Sequence, residues 1–232
     1  MSQTRKAFFK GAAHAMPFFV VIVPFAMLFG VLSAEAGLGP WETQIFSIAV
    51  FAGASQLAAL QLMQDQAPVL VILATGLAVN LRMMMYSVAL TPHLGGARLG
   101  IRAIIAYFLV DQSFALSLAE YEKRPDLTIA EKVAYFFGTI APITAIWNVS
   151  TAVGAQMGRA VPESWGLDFA MPITFIGMTA AMLRTVPHGV AMGVSVGVTL
   201  LLWAMPYGTG LLVGAAAGMA AGAVTEAWSE RA

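Results

Sequence analysis

The sequence carries little charge and no cysteine. Its 232 residues include 12 basic and 12 acidic side chains, a charged fraction of 10%, whereas soluble domains carry about 25%. So few charges cannot solvate a globular surface. Zero net charge without a basic cluster argues against nucleic-acid binding. The lack of cysteine excludes disulfides, thiolate catalysis and cysteine-ligated metals.

Motifs for enzymatic chemistry are also missing from the sequence. The three histidines, His14, His93 and His188, lie far apart and form no zinc-type pair. No glycine loop followed by Lys and Ser or Thr is present, so the chain is not predicted to hydrolyse ATP. We therefore expect no cofactor, no metal and no enzyme activity, since no nucleophile–base or metal cluster is visible.

Long runs without charge predict membrane spans. No Asp, Glu, Lys or Arg occurs in residues 43–64, 133–158 or 185–225. The last run has 41 residues, about 60 Å as one helix and twice a bilayer core of about 30 Å, so it must form two spans. The predicted fold is all-α: a polytopic integral membrane bundle of about 7–8 transmembrane helices, forming a single transmembrane domain over residues 1–232.

The basic residues Arg5, Lys6 and Lys10 precede the first span and place the N-terminus in the cytoplasm. This span is longer than the apolar core of a signal peptide, so we expect it to be retained. Eight full spans would put Arg98 and Arg102 outside, against the positive-inside bias, so seven spans with one re-entrant early segment is an alternative. The candidate spans are 16–36, 43–64, 68–91, 99–119, 133–157, 167–184, 188–204 and 207–226.

Residue spacings suggest an internal repeat with halves of about 16–119 and 133–227. Trp41 and Trp165, for example, are 124 positions apart. Repeats in secondary transporters place the substrate site at the repeat interface, where broken helices expose backbone groups. The spacings leave a parallel and an inverted repeat open.

Two ionisable residues, Arg82 and Asp111, lie well inside apolar spans. Insertion of a charged residue at the centre of a span costs about 2.5–3.5 kcal/mol, so the charge normally faces a partner or a water-filled cavity. Two interpretations stay open. The residues form an ion pair that holds two helices together, or one or both face a charged solute.

Three small residues followed by two polar ones occupy the segment 51–56, which reads Phe-Ala-Gly-Ala-Ser-Gln. Small residues allow close helix packing, or let a helix open and expose its amides to an anionic group. Pro24 and Pro142 each free a backbone carbonyl inside a helix. A break at these prolines would offer carbonyls to an ammonium group, whereas a simple kink is the alternative.

Glycine recurs at every fourth position in the last two spans, which gives each helix a flat face for close contact. Packing within this chain and docking of a second membrane subunit are both compatible with that pattern. The glycines are Gly189, Gly193, Gly197, Gly210, Gly214, Gly218 and Gly222.

Three motifs together resemble the AzlC family: those at 51–56, at 80–86 (Asn-Leu-Arg leading to Tyr) and at 109–114 (Leu-Val-Asp-Gln-Ser-Phe). The resemblance covers nearly the whole chain and is strongest from about 20 to 120. It implies the large subunit of a branched-chain amino acid exporter in the cytoplasmic (inner) membrane. It also implies a small AzlD-type partner with about four spans.

Three positions depart from the family pattern. Met83 stands where the family usually has His, and Val110-Asp111-Gln112 where it usually has Thr-Asp-Glu. The missing His and Glu could titrate near neutral pH or hold a second cation. Proton coupling would then depend on Asp111, and the usual substrate of the family does not transfer automatically.

We therefore expect a secondary transporter that exports hydrophobic amino acids (Val, Leu, Ile or Met). Arg82, or amides near 53–56, would bind the carboxylate, and Asp111 the ammonium group or a coupling proton. Alternatives are an exporter of another small zwitterion or weak acid, and a membrane assembly subunit with structural polar residues. The candidate substrate-binding and translocation residues are Gly53, Ser55, Gln56, Asn80, Arg82, Tyr86, Asp111, Gln112, Phe114, Pro24 and Asn148.

Overall fold

The computed structural model describes residues 2–158, 183, 185–205 and 209–229, and its secondary structure within these residues is entirely helical. The predicted all-α class is confirmed. The predicted span 167–184 lies almost wholly outside the described residues. The helices are α1 (Gln3–Ala15), α2 (Phe19–Glu35), α3 (Pro40–Ala49), α4 (Gly53–Gln64), α5 (Val69–Leu94), α6 (Leu99–Tyr107), α7 (Asp111–Lys123), α8 (Ile129–Met157), α9 (Val186–Leu201) and α10 (Thr209–Ser229).

Within the described residues, four continuous helical segments are long and apolar enough to cross a membrane, and Val186–Leu201 is a shorter apolar helix. In the first of them, a 3₁₀ turn at Met16–Phe18 joins α1 to α2. Pro24 and Pro142 lie inside helices that continue past them, so the alternative in which these prolines break the helix is not observed. The four segments are Gln3–Glu35, Val69–Leu94, Ile129–Met157 and Thr209–Ser229.

The chain divides into two compact units. Residues 1–56 and 79–162 form the first, and residues 57–78 and 163–232 form the second. All of the polar residues within the sequence motifs belong to the first unit, which is therefore described in more detail.

In the first unit, the joined helix α1–α2 runs along α8 with glycine at the closest approaches. A side-chain carbon added to Gly30 would overlap the Thr151 carbonyl oxygen, and one added to Gly154 would overlap that of Met27. Gly11 and Gly138 make the same kind of mutual contact nearer the N-terminus. Because both pairs advance along the two helices together, α2 and α8 are parallel.

Polar contacts tie the start of the chain to the loop before α8. Lys10 Nζ lies 2.6 Å from Glu120 Oε1, and His14 Nδ1 lies 2.7 Å from the Tyr135 hydroxyl. Tyr121 donates a hydrogen bond of 2.7 Å to the Lys132 carbonyl oxygen. The predicted loop at 120–132 therefore lies at the same end of this unit as the N-terminus, which we call the N-terminal end.

Helix α6 turns back along α5 after the short connection at 95–98. Leu94 at the end of α5 and Leu99 at the start of α6 line one cavity. Ser87 and Ala106, further along the two helices, line the same cavity. The two helices are therefore antiparallel neighbours.

The chain reverses again where the helix is interrupted at 108–110. Beyond this break, Phe114 stacks on Tyr86 with ring centroids 4.2 Å apart, and Tyr121 lies 5.4 Å from His93. Residue numbers in these contacts increase along α7 and α5 in the same direction, so the two helices are parallel. Since α6 and α7 run in opposite directions, residues 99–123 form a re-entrant hairpin and not the predicted continuous span.

Another interruption lies earlier in the chain, at 50–52, and separates α3 from α4. We call it the first break and the one at 108–110 the second break. The Gln56 side-chain nitrogen lies 3.4 Å from the Phe46 carbonyl oxygen, a distance that ten residues of straight helix would not allow. The chain therefore bends back at this break as well. Broken helices were among the expected features. The break at 50–52 overlaps the segment 51–56, where opening of the helix was one alternative, whereas the break at 108–110 was not predicted and neither break lies at a proline.

The re-entrant hairpin resolves the charge conflict in the sequence. Arg98 and Arg102 stand just before and at the start of α6, on the same end as the 120–132 loop. The alternative with a re-entrant early segment is thus what the structure shows for residues 99–123. Basic residues on this end include Arg5, Lys6, Lys10, Arg98, Arg102, Lys123, Arg124 and Lys132.

In the second unit, the glycine face of α10 packs against α9. Added side-chain carbons at Gly214 and Gly218 would meet Ser195 and Thr199 or Ala191. On α9 the glycines point elsewhere: Gly189, Gly193 and Gly197 have no described atom within 4 Å of an added carbon. Among the described residues, packing within the chain is therefore observed for Gly210, Gly214, Gly218 and Gly222 and not for the α9 glycines.

The re-entrant arrangement can be tested by labelling single cysteines, since the native chain has none. We expect Gly100→Cys and Thr4→Cys to react with a membrane-impermeant maleimide on the same side of the membrane. Leu38→Cys, which follows the first crossing, should react on the opposite side. Reaction of Gly100→Cys on the same side of the membrane as Leu38→Cys would contradict the hairpin.

The close packing of α2 on α8 predicts that Gly154→Ala destabilises the chain. The added methyl group would overlap the Met27 backbone, and overpacking of this kind costs about 1–3 kcal/mol. We expect a lower thermal unfolding midpoint in detergent. Gly193→Ala is the matched control, because the space beside it is open among the described residues. Equal midpoints for both variants would argue against the close contact.

Candidate functional site

A charged pair lies beside the tip of the re-entrant hairpin. Arg82 Nη1 on α5 is 3.0 Å from Asp111 Oδ2 on α7, and Tyr86 donates a 2.8 Å hydrogen bond to Asp111 Oδ1. The side chains of Arg82 and Asp111 are 24% and 44% exposed. The pair is therefore formed but still accessible, as in the interpretation in which the two residues form an ion pair.

The helix break determines where the Asp111 carboxylate lies. Val110 has an extended backbone and Asp111 is the first residue of α7. A carboxylate in the first helical turn is stabilised by the unpaired N–H groups of that turn, by about 0.3–1 kcal/mol. Ser113 Oγ accepts a hydrogen bond from the Val110 N–H at 3.0 Å, which satisfies a backbone group that the break leaves free.

The hairpin also places an aromatic surface next to the charges. The rings of Tyr86 and Phe114 are stacked nearly parallel, with an interplanar angle of 9°. Tyr86 therefore contributes its hydroxyl to the Asp111 carboxylate and its ring to an apolar stack. Gln112 is half-buried beside Asp111. An ion pair next to an apolar face can bind a molecule with both charges and a hydrophobic side chain.

The two helix breaks meet through aromatic side chains. Phe51 in the first break packs on Tyr107 and Phe108 at the second, with centroids 6.4 and 5.8 Å apart. The Tyr107 hydroxyl donates to the Ile48 carbonyl oxygen near the end of α3. Phe51 also lies 6.4 Å from Trp147 on α8. The breaks are thus held together inside the first unit.

The first motif contributes packing and polar groups at the start of α4. An added side-chain carbon at Gly53 would overlap the rings of Phe25 and Trp147, so glycine is required by close packing here. Ser55 and Gln56 are buried. Gln56 is bonded to the Phe46 carbonyl oxygen, as the packing alternative for this segment expected.

The remaining predicted site residues are distributed around this centre. Asn80 lies on α5 before Arg82, and its side-chain oxygen has no partner among the described residues. Pro24 lies in the uninterrupted α2. The Asn148 side-chain nitrogen binds the Thr144 carbonyl oxygen at 2.9 Å on α8. The structure therefore brings Arg82, Tyr86, Asp111 and Phe114 together and leaves Pro24 outside that group.

Sequence reasoning missed a second polar region between α3 and α8. Trp147 Nε1 donates a 2.9 Å hydrogen bond to Ser47 Oγ, and the Gln44 side-chain nitrogen lies 3.4 Å from the Asn148 carbonyl oxygen. The sequence did contain a signal, because Thr144, Asn148 and Thr151 have the four-and-three spacing of one helix face. In the part of the chain that the structure describes, no group of three His, Cys, Asp or Glu could hold a metal ion.

Comparisons with known proteins agree with a membrane protein of one family. The AzlC protein family model matches residues 17–161, more than half of the chain. An uncharacterized membrane protein of Archaeoglobus fulgidus is 29% identical over 161 residues, covering 69% of this chain and 67% of that protein. The inner membrane protein YgaZ of Escherichia coli is 23% identical over 183 residues, covering 76% and 74%. No solved structure gives a significant match.

The contact between Arg82 and Asp111 predicts energetic coupling. Arg82→Gln and Asp111→Asn should each lower the thermal unfolding midpoint, because each leaves the other residue without its charged partner. The double variant should recover part of the loss, with a coupling of roughly 1 kcal/mol. The control cycle uses Arg124→Gln and Asp126→Asn, a more exposed pair at 3.4 Å that should show almost no coupling. Additive effects at Arg82 and Asp111 would contradict the pairing.

Proposed function

The chain belongs to the AzlC family, and from that premise we propose that it is the large subunit of a secondary transporter. Its solutes are branched-chain or other hydrophobic amino acids, which it exports across the cytoplasmic membrane. It works with a small AzlD-type membrane subunit. No covalent chemistry is part of this function.

The observation that carries the proposal is the accessible Arg82–Asp111 pair at the tip of the re-entrant hairpin. Intramembrane charges normally mark a solute or ion pathway. A zwitterion can replace this ion pair without leaving a charge uncompensated, since its carboxylate takes Arg82 and its ammonium group takes Asp111. The guanidinium fork of arginine suits a carboxylate.

The neighbouring aromatic surface supports a hydrophobic amino acid as the solute. The stacked rings of Tyr86 and Phe114 lie next to the Asp111 carboxylate. An aliphatic side chain packed on these rings would leave water, which is worth about 25 cal/mol per Å² of apolar area. Solutes with small polar side chains lack this contribution.

The distribution of basic residues supports a cytoplasmic N-terminus. Basic residues are enriched in cytoplasmic segments close to the ends of spans. In the first unit the short segments at the N-terminal end carry the basic side chains of α1, of 98–102 and of 123–132. Export would then start from the end at which Lys10 contacts Glu120.

Asp111 is the group that we assign to proton coupling. Its carboxylate contacts both Arg82 and Tyr86, so protonation would weaken the ion pair directly. The alternative function is a membrane assembly subunit in which this pair is only structural. Binding of an amino acid by the purified chain alone would argue against that alternative.

The proposal predicts loss of export in variants of the charged pair. Cells loaded with dipeptides of valine, leucine or methionine should release the amino acid faster when the chain and its small partner are present. Arg82→Ala and Asp111→Asn should reduce this efflux by about tenfold or more, because each removes a contact worth at least about 1.4 kcal/mol.

Asp126→Asn is the matched control, because it neutralises an exposed carboxylate in an ion pair outside the site. Its efflux should match that of the unchanged chain. Equal amounts of each variant in the membrane are checked by immunoblotting. Normal efflux by both Arg82→Ala and Asp111→Asn would show that the pair does not bind the solute.

A further inference from the structure

Six buried side-chain oxygens on α3, α4 and α8 have no hydrogen-bond partner among the described residues, in addition to Asn80 Oδ1 on α5 and Ser117 Oγ on α7. Burying such an atom without a partner costs roughly 1–3 kcal/mol in proteins, and a bilayer offers no water to compensate. Of the six oxygens on α3, α4 and α8, three belong to threonines and three to amides. They are Thr43 Oγ1, Gln44 Oε1, Gln56 Oε1, Thr144 Oγ1, Asn148 Oδ1 and Thr151 Oγ1.

These oxygens come from three helices that contact each other. The Gln44 side chain of α3 reaches the Asn148 carbonyl oxygen of α8 at 3.4 Å. Trp147 and Ser47 join the same two helices one turn away along α3. Gln56 brings the start of α4 to the Phe46 carbonyl oxygen. Thr43, Gln56 and Thr151 are fully buried.

The orientation of the amide groups shows what kind of ligand they can bind. The side-chain nitrogens of Gln44, Gln56 and Asn148 all face backbone carbonyl oxygens. A carbonyl oxygen only accepts hydrogen bonds, so each amide must direct its nitrogen there and leave its oxygen for another partner. The three unpaired amide oxygens are therefore acceptors, and the threonine hydroxyls can accept as well as donate. A cation or donor is the ligand that complements all three amides.

The chemistry of the oxygens favours a monovalent metal cation. Hydroxyl and amide oxygens are hard ligands that suit hard cations such as Na⁺. The six oxygens carry no formal charge, whereas protein sites for Ca²⁺ usually include carboxylates. A water molecule donates only two hydrogen bonds, so one water would leave most of these oxygens unpaired.

We propose that Gln44, Thr144 and Asn148 bind one Na⁺ ion between α3 and α8, with Thr43, Gln56 and Thr151 completing the polar surroundings. This site is distinct from the Arg82–Asp111 pair and consists of neutral ligands. It extends beyond the proposed export function, because binding of Na⁺ needs neither the solute nor the small partner. Failure of one proposal would therefore leave the other standing.

The test is the thermal unfolding midpoint of the purified full chain in detergent, titrated with NaCl at constant total salt using choline chloride. Ligand binding to the folded state alone raises the midpoint in a saturable way. We expect such a rise with NaCl and a much smaller one with KCl or methylammonium chloride. Equal effects of all salts would overturn the proposal, and a rise with methylammonium chloride alone would overturn the assignment to Na⁺.

Variants locate the site on α8. Thr144→Val keeps the shape of threonine and removes the hydroxyl, and Asn148→Leu removes the amide. Each should weaken the apparent affinity for Na⁺ on the order of tenfold. Thr139→Val is the matched control, because Thr139 is buried on the same helix and its hydroxyl already donates to the Phe136 carbonyl oxygen.

Thr139→Val should keep the affinity of the unchanged chain. An unchanged Na⁺ response in both Thr144→Val and Asn148→Leu would place the ion elsewhere and overturn the proposal. Circular dichroism and gel filtration confirm that each variant is folded. The comparison of midpoints with and without Na⁺ is made within each variant, so a general loss of stability does not imitate a loss of binding.

Discussion

Both helix breaks depend on the surrounding protein, because a bilayer core cannot satisfy exposed backbone groups. The first break is supported by hydrogen bonds from Tyr107 to the Ile48 carbonyl oxygen and from Gln56 to that of Phe46. At the second break, Ser113 caps the Val110 N–H. These bonds allow the chain to turn inside an apolar environment. The turn at the second break determines where Asp111 can lie.

The charged pair combines an interrupted helix with a continuous one. Arg82 comes from α5, which has no break, whereas Asp111 stands at the first position of α7. Because α5 and α7 run parallel, one face of α5 supplies both partners of Asp111 with a four-residue spacing, Arg82 and Tyr86. A small displacement of the hairpin tip would change both contacts at once. In the proposed transporter, both contacts would then change together when the solute is released.

Much of the membrane architecture was predictable from where charge is absent, but the direction of the chain was not. A charge-free run indicates burial in lipid or protein and is the same for a span and a re-entrant hairpin. The second break also lacked the residues that usually indicate an interrupted helix. The break at 108–110 contains neither proline nor glycine, while Pro24 and Pro142 lie in continuous helices. Side chains distant in sequence, such as Tyr107 acting on Ile48, stabilise these turns, so local propensity could not reveal them.

The position of the basic residues was the indirect trace of the hairpin in the sequence. With eight simple spans, Arg98 and Arg102 would lie opposite the N-terminus, and the positive-inside bias would be violated. A re-entrant hairpin returns them to the end that carries Lys10 and the 120–132 loop. The direction of α8 is consistent with this path. Helices α2 and α8 are parallel, and of the helices between them in the chain only α5 runs from one end of the bundle to the other. Packing and charge therefore lead independently to the same path of the chain.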